Sequence, residues 1–109
     1  MIVIMTKFFV NPKYREDFKK RAIEGFGEKG IKGQKGFIKM NVLEPKNFEG
    51  MPPNDVFIIE TYWESEEDFI RFTESEAFRK AHEEPPPKEW FTTFPVVEVY
   101  EVIKEVKEE

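Results

Sequence analysis

Residues 56–82 read VFIIETYWESEEDFIRFTESEAFRKAH, and the hydrophobic period changes inside them. The first part, 56–63, is rich in β-branched and aromatic residues and is apolar on both faces over its first half. That pattern marks a strand covered on both sides. At Ser65 the period turns helical. Ser65 is a good N-cap, and Glu66, Glu67 and Asp68 fill the first turn, where a helix favours carboxylates. Ser75 reads as a second cap, so 65–83 is expected to form two short helices. Phe69, Phe72, Phe78 and His82 fall at helix-compatible spacings. Pro85, Pro86 and Pro87 then forbid helix and stiffen the chain.

Outward from this stretch the pattern is regular. Residues 2–10 form a strand with Ile2, Ile4, Thr6 and Phe8 on one face and Val3, Met5, Lys7 and Phe9 on the other. Asn11 and Pro12 suit a helix start. The helix is expected to run to about residue 28, with Tyr14, Phe18, Ala22 and Phe26 along one face and Gly25, Gly27 and Gly30 fraying its end. Residues 36–44 form a second strand, with Ile38, Met40 and Val42 pointing one way and Lys39 and Asn41 the other. Residues 94–104 form the last strand, and 104–109 a charged, frayed tail. The order β-α-β-β-α-β predicts a ferredoxin-like α+β domain spanning 1–109, with an antiparallel sheet that takes both helices on one face. The other face still carries apolar groups. A second copy would cover it, giving a homodimer in the form of a dimeric α+β barrel.

Composition removes several function classes. The chain has 109 residues, a net charge of -5 and no basic stripe interleaved with aromatics, which argues against nucleic-acid binding. It has no cysteine, so disulfides, thiolate nucleophiles and Cys-based metal sites are excluded. His82 is the single histidine. No Gly-x-Gly-x-x-Gly follows a strand, so no flavin or nicotinamide site is expected. The first residues do not read as a signal peptide, and no stretch is long enough to span a membrane. The expected location is cytoplasmic.

Tyr62-Trp63-Glu64-Ser65-Glu66-Glu67-Asp68-Phe69, followed by Phe72-Thr73-Glu74-Ser75-Glu76-Ala77-Phe78-Arg79-Lys80-Ala81-His82, resembles the hallmark stretch of the antibiotic biosynthesis monooxygenase superfamily. Gly33-Gln34-Lys35-Gly36-Phe37 is similar to that superfamily's entry into the second strand, and the likeness covers roughly residues 2–83. Within the superfamily the chain looks most like the IsdG/HmoA-type heme-degrading branch. That resemblance implies oxidative cleavage of heme with O2 and an external electron donor, releasing iron. It places the iron-binding histidine on His82. The branch's first-strand Asn falls on Thr6, its Trp ahead of the histidine on Phe72, and an aromatic near the end of its first helix on Ala22. Phe78 joins this set as a pocket aromatic. The expected partners are heme, a second copy of the chain and an external reductase.

Each of these residues also has a plain reading. His82 could be a surface or locally hydrogen-bonded helical histidine, Phe72 a core ring packed on the sheet, and Thr6 a residue that suits strands. Trp63 is read as structural, anchoring helix to sheet. Two other classes stay open. One is a cofactor-independent, quinol-type monooxygenase using the same cavity. The other is a non-catalytic heme- or small-ligand-binding stress protein.

Overall fold

The structure, a computed structural model, describes residues 1–25 and 30–108. Strand β1 (Ile2–Phe9) is followed by a 3-10 turn (Pro12–Tyr14) and helix α1 (Arg15–Gly25). Strands β2 (Phe37–Leu43) and β3 (Val56–Trp63) precede helices α2 (Glu66–Thr73) and α3 (Glu76–Ala81). A 3-10 turn (Lys88–Trp90) leads to β4 (Val96–Glu101). The sheet order is β2-β3-β1-β4, with every neighbouring pair antiparallel. This is the ferredoxin-like α+β arrangement that the residue pattern predicts.

The helix caps form as read. The Ser65 hydroxyl accepts from the Asp68 amide at 3.2 Å and the Ser75 hydroxyl from the Phe78 amide at 3.1 Å. The Thr73–Ser75 break between α2 and α3 follows from the second cap, because an N-cap residue leaves helical geometry.

Four expectations need adjusting. Asn11 caps a 3-10 turn rather than the α-helix itself, so α1 proper starts at Arg15. Tyr14 therefore leaves the core face and stacks on Trp90, ring centroids 6.3 Å apart. Phe26 lies outside the described residues. In β2 the register with β3 breaks between Phe37 and Lys39, so Ile38 is the extra residue of a bulge and is exposed. β4 is shorter than 94–104. It spans Val96–Glu101, paired with Ile2–Lys7 of β1, and the Val102 amide donates to the Met1 carbonyl at 3.0 Å just beyond it.

Helices cover one face of the sheet through two separate clusters. Phe18 and Ala22 of α1 pack on Phe8, Phe57 and Ile59, with Val10 beneath the end of the strand. Trp63 and Phe72 pack on Ile2, Ile4 and Ile31. The register sets Thr6 opposite Ile59 and Ile4 opposite Thr61, so the two threonines lie on the sheet where one cluster gives way to the other. Helix packing thus leaves the middle of the inner face uncovered.

The outer face carries Val3, Met5, Lys7, Glu60, Tyr62, Glu98 and Tyr100. Lys7 and Glu98 form an ion pair at 2.9 Å. Val96 and Tyr100 on this face are exposed, and so are Ile103 and Val106 in the tail beyond β4. Among the described residues, no helix is long and apolar enough to cross a membrane.

Candidate functional site

The gap between the two core clusters is a cavity of about 460 Å³. Its floor is the inner face of the sheet: Ile4 and Thr6 of β1, Ile59 and Thr61 of β3, and Val97 of β4. Phe72, Phe78 and His82 close it from the α2 and α3 side. Arg21, Glu84, Pro85 and Pro86 complete its wall from the end of α1 and the segment after α3. The volume falls in the range of small-molecule sites, and the walls are apolar with a few polar groups, as such sites usually are.

The four residues singled out from the sequence, Thr6, Phe72, Phe78 and His82, all line this cavity. Ala22, the position matching the family's helix aromatic, does not. It is buried in the core against the sheet. Trp63 is also absent from the lining and fully buried, which fits its structural reading.

His82 is the C-cap of α3 rather than a residue of its interior. Its Nδ1 lies 2.8 Å from the Phe78 carbonyl oxygen. A carbonyl can only accept, so Nδ1 carries the hydrogen and donates it. In the neutral ring Nε2 then keeps its lone pair. A hydrogen bond from the other ring nitrogen to a backbone carbonyl is how proteins hold a ligating imidazole in one tautomer. The Phe78 ring lies 4.1 Å from the imidazole, centroid to centroid, and limits its rotation.

The aromatic wall is continuous. Phe78 meets Phe72 edge to face at 5.4 Å, and Phe72 stacks on Trp63 at 5.3 Å with the rings 30° apart. Phe72 thus belongs to the core by one face and to the cavity by another. The Trp63 indole N–H donates to the Thr61 hydroxyl at 2.9 Å, so Thr61 still has its own O–H to offer. On the solvent side of α3, Arg79 donates to both Glu76 and Glu83 and braces the turn that precedes His82.

Pro85 and Pro86 stand at the cavity wall, where the proline segment was expected to begin the rim, whereas Arg21 and Thr61 were not legible as site residues. An arginine in an amphipathic helix and a threonine in a strand are ordinary there. Only the register and the helix placement bring them to the cavity.

No curated protein matches the chain in sequence. Solved structures do match in fold. The chain superposes on the heme-degrader MhuD from Mycobacterium tuberculosis, solved with two hemes bound in its active site. The TM-score is 0.74 at 20% identity, covering 98% of this chain and 100% of that one. A Bacillus cereus protein of the antibiotic biosynthesis monooxygenase class gives a TM-score of 0.74 at 25% identity, over 100% of this chain and 97% of the other. A conserved protein from Methanosarcina mazei gives 0.64 at 18% identity, over 91% and 89%. The family model for antibiotic biosynthesis monooxygenases matches residues 1–84, which hold every element from β1 to α3 together with His82, and the chain belongs to that family.

Proposed function

We propose that the chain is a heme-binding monooxygenase that cleaves heme oxidatively, using O2 and electrons from an external reductant, and releases the iron. The observation that carries this reading is His82. The sole histidine lines the apolar cavity with Nδ1 tied to a backbone carbonyl, which leaves Nε2 for an iron. Flat aromatic walls suit a planar macrocycle, and a largely apolar lining suits its hydrocarbon faces. When bound, heme is at once the oxygen-activating group and the molecule cleaved.

The chain's own residues have separable tasks. His82 would hold the iron through its Nε2. Phe72 and Phe78, which line the cavity, would pack against the ring and exclude water. Thr6 and Thr61 bring hydroxyls to an otherwise apolar floor, where an O–H could donate to a polar group of the bound molecule. A second copy covers the outer face, where Val96 and Tyr100 are exposed, together with Ile103 and Val106 of the tail.

The test is turnover. Purified protein loaded with hemin, then given ascorbate or a reductase in air, should lose its Soret band and release chelatable iron. Tight binding without bleaching would make it a heme carrier. No hemin binding at all would contradict the heme reading and favour an organic substrate in the same cavity.

A further inference from the structure

We infer that Thr61 is the cavity's committed hydrogen-bond donor, held in that role by Trp63, so that the site selects flat apolar molecules whose acceptor oxygen faces the sheet. This deepens the proposed function by naming what the floor recognises, and it rests on that reading only for the identity of the occupant. Thr61 and Trp63 stand two residues apart on β3, so their side chains share the inner face. Phe37, Phe69 and Phe72 pack around the indole with ring centroids no more than 5.8 Å away, which fixes the direction of its N–H. An indole N–H can only donate, and a buried one needs an acceptor. The Thr61 hydroxyl oxygen is that acceptor, at 2.9 Å. With its oxygen engaged by Trp63, the hydroxyl must aim its hydrogen elsewhere. Across the ladders Thr61 faces Ile4 of β1 and Met40 of β2, and neither side chain carries an oxygen. Among the described residues, none takes the Thr61 hydrogen. The open direction is the cavity that Thr61 lines.

Thr6 differs. It lies diagonally across the β1–β3 ladder from Thr61, and its hydroxyl has no hydrogen bond among the described residues, so it can turn to donate or to accept. Thr61 can only donate. In an apolar cavity an O–H left without an acceptor is costly, so a molecule that expels water from Thr61 must replace the water's hydrogen bond. A carbonyl oxygen over the floor does so, and a hydrocarbon of the same shape does not. Sites of this kind discriminate through the group that the wrong occupant leaves unpaired. Trp63 does not line the cavity and is therefore a positioning residue, which acts by deciding which part of Thr61 is on offer.

The experiment compares two probes that differ by C=O against C=CH2, 2-acetylnaphthalene and 2-isopropenylnaphthalene, by isothermal calorimetry. Wild type, Thr61→Val, Thr61→Ser and Trp63→Phe are titrated with both. The ratio of ketone to alkene affinity should fall roughly fivefold in Thr61→Val, as expected for one neutral hydrogen bond, and Thr61→Ser should keep it. Trp63→Phe frees the Thr61 hydroxyl to rotate and should lower the ratio part of the way. A purely packing role for Trp63 would weaken both probes alike and leave the ratio unchanged. Thr61→Val also leaves the Trp63 N–H unpaired, so the double variant Thr61→Val with Trp63→Phe, which orphans no indole N–H, is titrated beside it and should show the same loss. Effects on folding or cavity shape act on both probes and cancel in the ratio. A ratio unchanged in Thr61→Val and the double variant, a ratio unchanged in Trp63→Phe, an equal loss in Thr61→Ser, or no binding of the ketone to wild type would overturn the inference. Hemin is titrated into the same wild-type sample. The expected changes in ratio without hemin binding would uphold Thr61 as the donor while removing heme as the occupant.

Discussion

Trp63 is fully buried where β3 ends, against Phe37, Phe69 and Phe72, and its indole N–H is satisfied by Thr61. Replacing it with Ala removes a large ring that its neighbours cannot refill. Trp63→Ala should cost about 3–5 kcal/mol in denaturant unfolding. Asp68 is a different kind of buried residue. Its carboxyl accepts from the Ser65 hydroxyl at 2.9 Å and from Arg71 at 2.8 Å. The Ser65 hydrogen bond, with Arg71 adding to it, holds its pKa below the usual value against the opposing effect of desolvation. A depressed folded-state pKa contributes stability that is present above the ordinary carboxylate pKa of about 4 and is lost as the pH falls through the folded value. Asp68→Asn should therefore flatten the acid limb of a stability-versus-pH profile, and an unchanged limb would show that other carboxylates dominate it. Gly36 makes the same site intolerant of a side chain. Its φ is +80°, and a Cβ would fall 2.1 Å from the Asp68 carboxylate. Gly36→Ala should lower the unfolding midpoint more than Gly33→Ala, since Gly33 has a similar φ of +93° but open space around it.

At the scale of elements, β3 and the two capped helices follow the residue pattern closely. Their signals are local: a β-branched run, then Ser65 and Ser75 as caps. The misreadings came where tertiary pairing decides. The Ile38 bulge depends on the register with β3, which periodicity does not carry. The cavity itself was legible only in part. His82, Phe72, Phe78 and Thr6 were found by motif, whereas Arg21 and Thr61 reach the site through the angle of α1 and the β1–β3 register. Phe72 is where element packing and ligand contact meet. The extra ring of Phe72→Trp has the cavity to enter, so this variant should change the unfolding free energy by less than about 1.5 kcal/mol. It should also alter the spectrum or turnover of bound heme. Unchanged spectrum and turnover would mean that the Phe72 ring does not touch the ligand.

At the scale of the molecule, the sheet has two faces and the chain supplies helices for one. The outer face and tail expose Val96, Tyr100, Ile103 and Val106, with Ile103 at 93% of its full accessibility. Apolar groups left this bare suit a second copy, and sedimentation at micromolar concentration should give twice the 13.0 kDa chain mass. Ile103→Glu with Val106→Glu should shift that equilibrium toward monomer. A wild-type monomer at that concentration would remove the dimer from the account. The two core clusters, one under α1 and one under α2 and α3, explain why a cavity persists in so small a chain. Each helix unit is anchored by its own aromatics, and neither reaches the threonines between them.

The account stands most directly on His82 as an iron ligand. The measurement is a titration of ferric hemin into wild type and His82→Ala, with absorption and resonance Raman spectra of each complex. The wild type should show a histidine-ligated heme. His82→Ala should lose that signature and bind hemin at least about tenfold more weakly while keeping the wild-type unfolding midpoint. Identical spectra and affinities for the two proteins would contradict the assignment, since no other histidine exists in the chain to take its place.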